Sequence, residues 1–165
     1  MLLRPGVIGD IDRLAVLHVS VWRDTYRELA PKAAFDALNE RHRREHWQQM
    51  LSRGSESFTV VAEVDQRLVG FGHASPATHA AMGNVGEIVH LYVDRDSQGG
   101  GIGLAMFRSL FDFLREQGHP VVGLGVVDGN TNAISFYERQ GGQRTGTYVD
   151  GVLWRSTNLI YEWST

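Results

Sequence analysis

The sequence predicts an α+β domain, with a mixed sheet of the α/β kind and helices on its faces. Three observations point there. Apolar residues recur at helical spacing through the first fifty or so positions, and the period changes to that of strands from Phe58. The order that follows is two strands, a third strand, a helix, a strand, a helix and two final strands, which belongs to a mixed sheet. The strand ending at Val93 and the one opening after Pro120 also flank a single helix. They are therefore expected to be parallel neighbours joined by a right-handed crossover.

The first fifty positions divide at Pro and Gly. Residues 2–4 read as a short strand, ended by Pro5 and Gly6. Asp10 is placed to cap a helix running to about Glu28. Its inner face would carry Leu14, Leu17 and Val21, with His18, Trp22 and Tyr26 in a second row. Pro31 suits the first turn of another helix, and Glu40 to Arg53 reads as a polar helix stopped by Gly54. His42 and His46 share a face of that helix, but no third metal ligand accompanies them. Among Arg41, Arg43 and Arg44 that face reads as solvated.

Phe58–Val64 and Leu68–Ala74 are β-rich runs joined near Asp65-Gln66, as in an antiparallel hairpin. Residues 75–84 read as a loop. Glu87 to Val93 is rich in β-branched and aromatic residues, so it reads as a strand. Asp94 to Ser97 is turn chemistry, and Gln98-Gly99-Gly100-Gly101-Ile102-Gly103 leads into a helix with Phe107, Leu110, Phe111 and Leu114 on one side. Val121 to Val127 is apolar almost throughout, as in a strand covered on both faces. Asn130 opens a helix that closes at Gly141-Gly142. The tail reads as strands 143–149 and 152–162 turning at Asp150-Gly151.

The totals exclude several classes. A length of 165 residues fits one domain spanning 1–165. The net charge of −3 argues against a nucleic-acid partner. Without cysteine there is no disulfide, thiolate metal site or cysteine nucleophile. No apolar run approaches the roughly 18 residues that span a bilayer, and no signal peptide is visible at the start. A cytoplasmic protein that engages no membrane is the expectation.

The functional signal lies in the strand, glycine loop and helix start at 86–103. Free N–H groups of a first helical turn converge there, and the helix dipole adds partial positive charge, so the geometry binds anions. Gly99, Gly100 and Gly101 are expected at positive φ, letting the backbone approach a bulky anion. Gly103 costs on the order of 1 kcal/mol relative to alanine in a helix, which points to a close approach. The loop lacks the Gly-Lys-Ser/Thr ending of a P-loop, and its spacing fails the dinucleotide fingerprint.

Gln98-x-x-Gly101-x-Gly103 after an apolar strand resembles the pyrophosphate motif of the GNAT superfamily of acyl-CoA-dependent N-acetyltransferases. Asn130-x-x-Ala133-x-x-Phe136-Tyr137-Glu138, followed by Gly141, is similar to that family's second cofactor motif, and Trp22-Arg23-Asp24-Thr25-Tyr26 is similar to its first helix. The resemblance implies a GNAT-like sheet, mostly antiparallel with one splayed parallel pair. It implies acetyl-CoA as acyl donor, no metal, and an amine acceptor, either a small molecule or a peptide or protein amine. The amides of Gly99 to Gly103, Ile102 included, would hold the pyrophosphate with Gln98. Main-chain groups of the run Leu91, Tyr92, Val93 would pair with the pantetheine arm. Asn130, Ala133, Phe136 and Tyr137 would complete the cofactor site, although Asn130 is equally a helix cap. Two departures stand out: Gly100 and Gly142 replace a basic residue and a phenylalanine common in relatives.

An amine at neutral pH is mostly ammonium and must lose a proton before attacking a thioester. Glu87 matches the family's general-base position, and strict alternation places it on the same face as Leu91 and opposite His90. An exposed or ion-paired glutamate at a strand start is the bland alternative. His90 and His73 are weaker base candidates. The Leu91 N–H is the implied oxyanion donor, and Tyr137 the implied proton donor to the departing thiolate, unless it only packs. Trp22 and Tyr26 would line the acceptor pocket or pack against the sheet. Without turnover, the same site would make a non-catalytic acyl-CoA-binding or regulatory module. The exposed edge of the tail strands would allow a homodimer.

Overall fold

The computed structural model describes residues 1–165. The apolar runs pair into one seven-stranded sheet: β1 (Leu2–Pro5), β2 (Phe58–Val64), β3 (Arg67–Pro76), β4 (Gly86–Val93), β5 (Val121–Val127), β6 (Gln143–Asp150) and β7 (Ser156–Ser164). Their spatial order is β1-β2-β3-β4-β5-β7-β6, and β4–β5 is the parallel pair. The β2–β3 turn places Asp65 and Gln66 at φ 48° and 62°, the two left-handed positions that a tight hairpin demands.

Five helices cover the two faces: α1 (Ile11–Tyr26), α2 (Lys32–Ala37), α3 (Glu40–Leu51), α4 (Ile102–Glu116) and α5 (Thr131–Arg139). The Met106, Phe107, Leu110 and Leu114 stripe of α4 packs with Tyr137 of α5 on Val60, Ile88, Val122, Leu124 and Val126. Leu14 and Val21 of α1 join Trp47 and Met50 of α3 against Val61 and Phe71 on the other face. Burying each such side chain stabilises the fold by about 1.5–3 kcal/mol. No helix is long and apolar enough to cross a membrane.

Four expectations are corrected. Asp10 does not cap α1: its carboxylate, 1% exposed, accepts from Arg4, Arg13 and the Val7 amide. Two arginines and an amide outcompete the helix for its lone pairs, and Arg4 in turn reaches Glu63 on β2, tying β1 to its neighbour. The last strand begins at Ser156, because residues 151–155 form a loop that carries Trp154 to α1. Gly99 and Gly101 lie at φ 83° and 81°, whereas Gly100 does not take positive φ. The His42/His46 face is not solvated throughout. Arg43 is 6% exposed, with its guanidinium over the Trp22 ring at 5.9 Å. His46 turns inward to His90, Nε2 to Nε2 at 2.8 Å.

Candidate active site

The glycine loop delivers the main-chain donors its sequence predicts. Gly101, in the left-handed region, starts α4, and Ala105 is the first amide of the helix to find a carbonyl, that of Gly101 at 3.0 Å. The Ile102, Gly103 and Leu104 amides are therefore left without helical partners. Nothing in the chain crowds the Gly103 α-carbon: a methyl there would meet only Val93, at an ordinary 3.7 Å. Gln98 donates its amide to the Val93 carbonyl at 3.0 Å and so pins the loop to β4. That carbonyl is therefore already engaged.

From this loop a cleft of about 960 Å³ runs between β4, β5, α1 and α5. It exists because the parallel strands part. They pair at Gly86–Val122 and Glu87–Gly123 and nowhere beyond, although both continue for several residues. Ile88, Val89, Leu91, Tyr92 and Val93 line one wall, and Gly125 and Val126 the other. Tyr26, Asn130, Ala133, Phe136 and Tyr137 line it too, with Gln98, Gly99, Gly101, Ile102 and Gly103 at the loop end. Gly100, Trp22 and the predicted base Glu87 are not in the lining, Glu87 standing just beyond its end on β4. Trp22 packs instead on Tyr26, Phe35 and Trp154.

A bulge changes which way β4 points. His73 pairs with His90 and Ala74 with Ile88, leaving Val89 unmatched. Ile88, Leu91 and Val93 consequently pack toward α4, while Val89 and Tyr92 pack toward α1 and α3. Glu87 pairs with Gly123, whose open side faces Met82, Val85 and Glu162. Glu87 thus shares a face with His90 and Tyr92, and the expectation that it shares one with Leu91 fails. Strict alternation does not survive an extra residue.

Glu87 is 5% exposed and held from one side. The Thr78 amide and hydroxyl donate to its Oε2 at 2.6 and 2.8 Å, and its Oε1 accepts nothing. It stands at the last paired position before the strands separate. Tyr137, 8% exposed on α5, packs against Phe107, Phe136 and Trp163 while lining the cleft. Burial pushes its phenol up, and the Tyr26 charge adds to this, so it stays protonated at neutral pH. Asn130 caps α5, its side chain accepting from Ala133 N at 3.4 Å, and also borders the cleft. The Tyr26 and Tyr92 hydroxyls meet at 3.3 Å.

The two weaker base candidates lie elsewhere, His73 buried and His90 half-buried. His90 lies among His18, His46 and Trp47. His73 bonds the Thr59 hydroxyl at 2.8 Å. Burial holds both below the usual histidine range, His73 at about 4.

Residues 20–142 match the family model described as the acetyltransferase (GNAT) family. The chain belongs to the GNAT family. It is 27% identical over 142 residues to the N-acetyltransferase YuaI of Bacillus subtilis, covering 86% of this chain and 80% of that protein. A mycothiol acetyltransferase of Acidothermus cellulolyticus is 34% identical over 76% of this chain, which spans only 45% of that relative. For the rat N-acetyltransferase 8B the match is 33% identical and covers 61% of this chain and 46% of the relative. Among solved structures, the PaiA N-acetyltransferase of Thermoplasma acidophilum in complex with coenzyme A superposes with a TM-score of 0.78. The identity is 19%, over 99% of this chain and 98% of that one. YncA of Salmonella typhimurium with acetyl-CoA gives 0.74 at 15% identity, over 99% and 93%.

Within this GNAT frame the two departures find local substitutes. Arg95 and Arg139 line the cleft and bring cationic side chains that Gly100 lacks. At Gly142 a methyl would stand 2.5 Å from the Trp163 indole, so Trp163 fills the room a larger residue would take. Asp24, Thr25 and Ser135 also border the cleft unforeseen. Only their helical phase beside Tyr26 and Tyr137 hinted at it.

Proposed function

We propose that this enzyme moves an acetyl group from acetyl-CoA to a primary amine by direct transfer while both are bound. The observation that carries the reading is the cleft itself: unpaired first-turn amides at one end, parted strands at the other, and the Tyr137 phenol in the wall between. These residues fit coenzyme A, with the loop amides and Arg95 for its phosphates and the β4 edge for its pantetheine arm. The bound donor supplies an already activated thioester, so no covalent enzyme intermediate is needed.

The chain's own groups supply the rest. Glu87 takes a proton from the incoming ammonium on its free oxygen, Thr78 fixing the other. The Leu91 N–H meets the negative charge that develops on the carbonyl oxygen. Tyr137 gives its hydroxyl proton to the departing sulfur. Tyr26 and the 151–155 loop, whose Trp154 packs on Tyr26, would border the acceptor. Two copies would pair along β6, the exposed edge beside β7, a point that sedimentation of the purified chain decides.

Thiol release from acetyl-CoA with a panel of small amines and peptide N-termini tests the reading. Turnover with at least one class is expected. Tight coenzyme A binding without turnover on any of them would make the chain a binding module instead.

A further inference from the structure

Tyr148 lies on β6, separated from β5 by β7. Its side chain crosses β7, and its hydroxyl rests over Gly125, where a methyl would overlap it. Gly125 lines the cleft. Had the parallel pairing continued past Glu87–Gly123, Gly125 would face Val89, the bulged residue. The strands have parted at that level. The hydroxyl therefore sits where the gap between β4 and β5 opens, on the face that carries Glu87.

The surroundings of Tyr148 converge on the same carboxylate. Its ring stacks on His79, with centroids 4.3 Å apart and planes at 27°. His79 follows Thr78, which holds Glu87. The stack thus ties β6 to the loop that fixes the base. Burial first, and then the charges of Glu87 and Asp150, push the phenol up to about 12, so it is protonated at neutral pH. Its hydroxyl nevertheless makes no hydrogen bond within the chain, and neither does Glu87 Oε1. A ring needed only for packing would serve as well without the hydroxyl. Here a glycine is kept beneath it, and the two polar groups without partners lie on one face of the sheet, beside the point where the strands part.

We infer that the Tyr148 hydroxyl is a further catalytic group, which binds the acceptor amine and aims it at the thioester in concert with Glu87. The inference rests on the acetyltransferase reading above. The ammonium gives one proton to Glu87 Oε1, leaving a neutral amine with a lone pair. One remaining N–H donates to the Tyr148 oxygen, and the lone pair points into the gap. The nitrogen–carbon bond forms as the carbon–sulfur bond breaks, and the sulfur takes the Tyr137 proton. The second proton lost by the nitrogen leaves to water, Tyr137 is reprotonated from water, and Glu87 releases its proton to water, so that one proton is set free in each turnover.

The test is Tyr148→Phe, measured with an amine the wild type acetylates. A loss of about tenfold in kcat/KM for the amine is expected, the size of one hydrogen bond. KM for acetyl-CoA and the melting temperature should stay as in the wild type. Raising the pH should not restore the loss, in contrast to Glu87→Gln. The double variant should lose less than the product of the two single losses, because both groups hold the same nitrogen. Turnover in the wild type with kcat/KM for the amine unchanged in Tyr148→Phe overturns the contact alone. So does a loss that tracks a lowered melting temperature or a weakened acetyl-CoA KM. If Glu87→Gln keeps the wild-type pH profile while Tyr148→Phe falls, the base reading fails and the Tyr148 contact stands. Absence of turnover with every amine sinks the acetyltransferase reading and this contact with it.

Discussion

Thr78 donates to Glu87 twice, from its amide at 2.6 Å and its hydroxyl at 2.8 Å, and both bonds end on the same carboxylate oxygen. One oxygen is anchored and the other is open, a division of labour suited to a group that must take a proton in a fixed direction. Glu87→Gln keeps the size and the anchor but loses the basicity. Turnover at neutral pH should fall by about 100-fold or more and recover in part at high pH, where free amine is abundant. A wild-type pH profile in the variant would assign the base elsewhere. Thr78→Val removes the hydroxyl donor alone and should cost about tenfold.

Tyr137 packs on three aromatic rings yet lines the cleft, so packing and chemistry are separable there. Tyr137→Phe preserves the rings' contacts and removes only the proton. Affinity for coenzyme A by calorimetry should be nearly unchanged, while kcat falls by about 100-fold. Equal rates at saturating substrates would leave the thiolate to be protonated by water.

Much of this was legible in the chain. Period, turn residues and the Pro/Gly punctuation located all seven strands, and the two glycine-bearing motifs located the cleft. What escaped reading was set by contacts between distant segments. A bulge adds one residue, Val89, and reverses the facing of everything beyond it, yet leaves no mark in composition. Asp10 has the chemistry of a cap, but Arg4 and Arg13 claim it in three dimensions. Trp163 replaces the side chain missing at Gly142 from the far end of the chain. Tyr148 reaches Gly125 across an intervening strand, a relation no local pattern encodes.

Arg43 is a buried cation without an anion. Its Nε has no hydrogen-bond partner, no carboxylate lies within ion-pair distance, and its company is the Trp22 ring. Burial accordingly lowers its pKa. The cation–π contact contributes about 0.5–2 kcal/mol, while desolvating the charge costs several. Arg43→Met keeps the packing of the stem and should leave stability equal or higher by about 1 kcal/mol in urea unfolding. A loss above about 2 kcal/mol would show that the guanidinium meets a partner in solution.

Four histidines, two buried and two half-buried, make acid the weak side of this fold. His18, His46 and His90 contact one another, and His73 lies behind Trp47. Burial lowers all four, and positive neighbours including Arg43, Arg53 and His42 add to the effect. His46 and His73 fall to about 4, and the other two lie well below the usual range. In the unfolded chain these side chains take up protons as the pH drops through about 6.5. In the folded chain His46 and His73 do so only near 4. Between those values the unfolded state binds more protons, so stability is lost as pH falls, by up to about 1.4 kcal/mol per pH unit for each histidine. The melting temperature should therefore fall steadily from pH 7 to 4.5. His46→Gln, which keeps a polar group toward His90 but does not titrate, should reduce the slope by about one proton's worth. A melting temperature that is flat across that range would mean that the cluster opens readily enough to be protonated in the native state.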